Sequence, residues 1–154
     1  MIQSLLNSIQ SQILNLNDIE SCLIYPSARE ELRAPLVVLE VAGFSQGDDP
    51  ATEELALNAN IEARVVVDSS IENAEIVCQS IACNVANLAH LNNFGCEVSL
   101  GKISGISKDF FKPEFDAYVC WLVEWSHQLH LGKNVWFETG VSPHQLFIER
   151  ENVR

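Results

Sequence analysis

Between Asp116 and Leu131 the chain places Ala117, Val119, Trp121, Val123, Trp125, Leu129 and Leu131 on alternate positions of one sixteen-residue segment. A period of two is the signature of a strand. The intervening positions, Tyr118, Cys120, Leu122, Glu124, Ser126, Gln128 and His130, begin apolar and turn polar. The second face is therefore expected to be covered at one end and wet or partner-facing at the other. At about 3.3 Å per residue the strand would run about 50 Å, far beyond the usual five or six residues. Such a strand in so small a chain points to an extended ribbon or an assembly, and to architecture before chemistry.

The remaining elements follow from the same two periodicities. Ile2, Leu5, Leu6, Ile9, Ile13 and Leu14 recur at helical spacing, which predicts an amphipathic helix over roughly the first sixteen residues. Cys22 to Tyr25 reads as a short strand stopped by Pro26. Ala34 to Phe44 is almost continuously apolar, as in a strand covered on both faces and central in its sheet. After an acidic loop at Gly47-Asp48-Asp49-Pro50, Leu55 to Asp68 alternates nearly without error and is expected to form a hairpin with it. Asp68-Ser69-Ser70 supplies cap candidates for a helix over Ser70 to Leu91, ended by Asn92-Asn93 and Gly95. A weaker strand is expected from Cys96 to Ile106, followed by a turn from Lys108 to Pro113 into the Trp-bearing strand. Beyond Gly132 short strands are expected at Val135 to Glu138 and Gln145 to Glu149. The fold class is α+β: a mainly antiparallel sheet with long strands and two helices packed on one face. Residues 1–132 would form a single α+β domain, and residues 133–154 a C-terminal extension or arm.

A chain of 154 residues, 47% hydrophobic, has enough apolar surface for one core without disulfides or metal. Its five cysteines form an odd set without a CxxC motif and read as reduced, packed thiols. The N-terminus shows neither a signal peptide nor a membrane-spanning run, so a cytosolic protein is expected. The net charge is −12. That excludes ordinary nucleic-acid binding, which needs Lys and Arg against phosphates. Three readings remain: a surface past which DNA slides without sticking, a DNA mimic, or the plain solvation of an acidic protein.

There is no HExxH, P-loop or GxGxxG pattern, and no enzyme is expected. His127 and His130 fall on opposite faces of a strand, unsuited to one metal, and are expected to be half-buried. His90 near a helix end and His144 in the tail have no evident partner. Asp48, Asp49, Glu53 and Glu54 lack EF-hand spacing, and Cys78 and Cys83 are poorly placed for a shared ion. Neither metal nor cofactor is expected. Trp121 and Trp125 share a strand face, where core or subunit packing is favoured over a stacking platform.

Gly47-Asp48-Asp49-Pro50, the segment LNANIEARVVVD from Leu57 to Asp68, and FDAYVCWLVEWSHQLHLG from Phe115 to Gly132 together resemble the Mu-like prophage tail terminator family. The likeness spans about Leu36 to Gly132, and the motifs that carry it are not catalytic signatures. It implies a small α+β domain that forms a hexameric ring, caps the tail tube, stops its polymerisation and presents a surface to the head-completion or neck protein. It also implies assembly in the host cytoplasm and a place in the virion tail. DNA would pass through without being bound, and no membrane would be involved. Six copies would carry about −72, and an acidic lumen keeps phosphates off the wall. On this view Asp48, Asp49, Glu53 and Glu54 face the tube or the lumen. The alternatives are another phage neck or tail-completion protein, an acidic DNA-mimic inhibitor, and a small hydrolase with an unrecognised site.

Overall fold

The computed structural model describes residues 1–25, 33–110 and 117–136. Its elements are α1 (Ile2–Leu14), β1 (Ser21–Ile24), β2 (Leu36–Gln46), β3 (Leu55–Asp68), α2 (Ala74–Ala89), β4 (Lys102–Lys108) and β5 (Tyr118–Leu131). They form one five-stranded sheet in the order β1-β2-β3-β5-β4. Among these strands only the β1–β2 pair is parallel. The α+β class is therefore as expected, with both helices on one face. β3, not β2, is the middle strand, because β5 returns to its free edge.

β3 and β5 pair without interruption from Leu55↔Leu131 to Asp68↔Tyr118. At fourteen residues each they run about 46 Å, whereas the sixteen residues of α2 cover about 24 Å. The apolar positions of the alternation face the helices: Ala59, Ile61, Ala63, Val65 and Val67 of β3 and Val123, Trp125 and Leu129 of β5 are buried against Leu5, Ile9 and Ile13 of α1 and Cys78, Ile81 and Val85 of α2. Each large apolar side chain among them contributes about 1.5–3 kcal/mol by leaving water.

Four boundaries differ from the expectation. Asp68 accepts the Ser70 backbone N–H at 2.9 Å, so the cap-like residues build a turn, and α2 begins only after Asn73, which is left-handed at φ 55. α2 stops at Ala89, because His90 is extended and Leu91 has φ 53. The strand expected from Cys96 begins at Lys102 instead. Gly101 explains this: a Cβ there would lie 2.0 Å from the Ala89 carbonyl oxygen, and its own N–H and C=O bond Asn92 and Leu91, so the chain is clasped to the helix end before it can join the sheet. Finally, Val135 and Trp136 form a turn, with the Val135 N–H donating to Thr52 O and the Trp136 indole donating to Ala51 O. The rest of that expected strand, the one at 145–149 and most of the 133–154 extension lie outside the described residues. Among those described, no helix is long and apolar enough to cross a membrane.

Candidate functional site

The sheet face opposite the helices is graded in bands that cross the strands, because the registers set equivalent residues side by side. The first band is apolar: Leu36, Val66 and Cys120 are buried together, with Leu23 and Val38 against them. Arg64 follows, one step down β3. Beyond it Glu40, Glu62 and Glu124 stand in a row on β2, β3 and β5, about 4.8 Å apart by strand spacing. Lower still are uncharged side chains, Asn60 opposite Ser126 and Asn58 opposite Gln128.

A row of facing carboxylates is self-repelling, and Arg64 offsets it. Its Nη1 donates to Glu40, its Nη2 to Glu62 at 2.8 Å and its Nε to Asp109 at 3.0 Å. The guanidinium side chain is 12% exposed. Burial works against its charge, yet the Glu40 hydrogen bond, the charges of Glu40 and Glu62 and the Asp109 hydrogen bond outweigh that and raise its pKa. Glu124 lies outside this network: no ion pair engages it among the described residues, and its Oε2 lies over Gly105. An open depression of about 400 Å³, lined by Gly43, Asn60, Glu62, Ser104 and Glu124, crosses the row. It coincides with the two register shifts, Val41/Gly43 on β2 and Ile103/Gly105 on β4, where extra residues bend the flanking strands.

The acidic loop follows β2 at the far end of the sheet. Asp48, Asp49 and Glu53 are exposed, and Glu54 is half-buried beside Thr52. Asp49 accepts the Ala51 N–H at 2.8 Å, and the Thr52 hydroxyl donates to Glu54 at 2.8 Å, so two of the four carboxylates are committed to shaping the loop. Ala51 and Glu53 both have positive φ, and the turn around Val135 and Trp136 packs on this loop. The four acids do not join the Glu40-Glu62-Glu124 row.

Trp125 is 1% exposed and sits in the main core, whereas Trp121 is partly buried and donates to Glu75 at 3.1 Å. His127 is 0% exposed, not half-buried. Two hydrogen bonds and an edge-on contact with Phe94 hold it there. The sequence reading missed the Arg64 network. The spacing Glu62-x-Arg64 signals one pair, but Glu40 and Asp109 join only through the fold. Among the described residues no three His, Cys, Asp or Glu side chains are grouped to hold a metal ion. None of the five cysteines is bridged to another.

Fold and site together define a small α+β domain whose long sheet is apolar and helix-covered on one face and carries a charge-graded band on the other. Compared with protein-family models and with curated proteins, the chain matches none.

Proposed function

We propose that this chain is a phage-type tail terminator: a ring-forming structural protein that caps a tail tube, stops its growth and offers the joining surface for a neck protein. One observation carries the reading. Of the two segments in which the chain resembles that family, 57–68 and 115–132, the described residues Leu57–Asp68 and Tyr118–Leu129 pair side by side within the β3–β5 ladder, and the Gly47–Pro50 motif stands at the same end as Leu55 and Leu131. The likeness therefore falls on one continuous ribbon and on the loop that leads from β2 into it.

Physical features fit that role. The ribbon outruns α2, and Phe44, Leu55 and Leu131 are exposed near its end, as in a strand pair that meets another subunit. The acidic surface would let DNA pass without adhering. Termination itself is steric: one side of the ring matches the tube end and the other gives the next tube protein no site. A DNA mimic draws less support, since the carboxylate row on the described sheet is three residues long and Arg64 bonds two of them.

The decisive test is tube growth in vitro. Polymerising tail tube protein is mixed with the chain, and tube lengths are measured by electron microscopy. The reading expects growth to stop, with ring density at one end of each tube. Unchanged lengths at saturating concentration would overturn it.

A further inference from the structure

We propose that copies of this chain meet head to tail, with the outer face of the helical layer of one copy receiving the β2–β3–β5 ribbon end of the next. The inference rests on the ring reading above and assigns its contact surfaces. It starts from where charge is missing. α1 contains no charged residue, and α2 contains only Glu75. The chain as a whole carries 9 basic and 21 acidic residues, so an even spread would put about five or six charges in two such helices. Surface helices ordinarily carry their charge on the outward face. Here that face is Gln3, Asn7 and Ser11 on α1, and Ile76, Ser80, Cys83 and Asn87 on α2, all exposed.

Charge also selects the occupant. Two copies at −12 repel each other, and like charges brought together at a contact weaken it. A partner drawn by opposite charge would go to the acidic loop. A second copy is admitted where the surface is neutral, and the helical layer is such a surface. The ribbon end supplies its apolar counterpart: Phe44 lies 51% exposed, Leu55 46% and Leu131 43%, with Leu55 and Leu131 directly opposite each other. Ile76, 62% exposed, and Leu14, 44%, are the apolar points on the helical side. Two unlike surfaces on one chain produce a heterologous contact, which closes into a ring by rotation.

The test uses the full chain and four variants, each checked for native circular dichroism: Asn87→Lys and Ser80→Lys on the helical face, Phe44→Lys and Leu55→Lys on the ribbon end. Sedimentation is run over a concentration series at moderate salt. The unmodified chain is expected to associate, and each variant alone to weaken association by about thirtyfold or more. A helical-face variant mixed with a ribbon variant should form a one-to-one dimer and nothing larger, since each retains one good surface. Lysine lowers the net negative charge, so mere relief of repulsion would strengthen association and overturn the proposal. Variants that assemble like the unmodified chain would overturn it too, while leaving the ring reading intact. A mixture that stays monomeric would mean a symmetric contact and also overturn it. A chain monomeric at every concentration would do the same, and the tube-growth assay would then decide the ring reading separately.

Discussion

The indole N–H of Trp125 donates to Nε2 of His127 at 2.9 Å, two residues along the same face of β5. An indole is only a donor, so Nε2 must be the accepting nitrogen and Nδ1 must carry the proton, which it donates to Ser99 O at 2.9 Å. The neutral imidazole thus bolts the Phe94–Gly101 loop to the sheet. Burial lowers the His127 pKa below its ordinary 6.5, against the opposing effect of the Ser99 bond.

Stability should therefore depend on pH in one direction. Above 6.5 the imidazole is neutral in both states and the contribution is complete. As pH falls below 6.5 the unfolded chain takes up the proton first, and stability is lost down to the folded-state value. Urea denaturation at about pH 7.5 and about pH 5.5, on either side of the ordinary imidazole value, should show the loss, and His127→Gln should reduce it. An unchanged difference in that variant would remove His127 as the cause.

Replacing Trp125 by Ala should cost about 3–5 kcal/mol, through the cavity and the lost partner of His127. Denaturation of dilute protein measures this apart from association. Trp121→Ala, at a half-buried site, should cost less.

Arg64→Ala should cost about 3–5 kcal/mol, since it leaves the carboxylates of Glu40, Glu62 and Asp109 facing one another without their shared cation. Arg64→Lys should recover only part, because one ammonium cannot reproduce a three-way fork. Chemical denaturation of both variants checks the order; equal stabilities would remove the network from the account.

Gly101→Ala should lower stability by about 1–3 kcal/mol, as backbone must move away from the Ala89 carbonyl. Thermal melting of the variant reads it directly.

Thiol reactivity should separate the cysteines. Burial pushes Cys22 up to about 12, and burial above all pushes Cys78 up to about 12, while Cys83 is exposed. Iodoacetamide at about pH 8, near the ordinary thiol value, should modify Cys83 first and leave Cys22 and Cys78 intact until unfolding. Mass spectrometry of the labelled peptides tests the order.

The long elements were legible in the sequence because each has one dominant periodicity: Leu55–Asp68 and Tyr118–Leu131 alternate, and Leu5, Leu6, Ile9 and Ile13 follow a helical stripe. Even the change of the second β5 face from apolar to polar was readable from Cys120, Leu122, Ser126 and Gln128. What eluded reading depends on contacts distant in the chain. The start of β4 is set by Gly101 against the end of α2, and the burial of His127 by Ser99 and Phe94. The carboxylate row exists only because the strand registers align Glu40, Glu62 and Glu124. The acidic loop was visible as composition, but not the use of Asp49 and Glu54 to shape it.

The uninterrupted β3–β5 ladder also governs how the chain must fold. Its nearest partners, Asp68 and Tyr118, are 50 residues apart, and its furthest, Leu55 and Leu131, are 76 apart. The β2–β3 hairpin closes through a short loop, but its inner edge waits until α2 and β4 have been laid down. Contacts so remote in sequence slow folding. During synthesis and refolding alike, β3 is then the exposed, adhesive edge on which misassembly would begin.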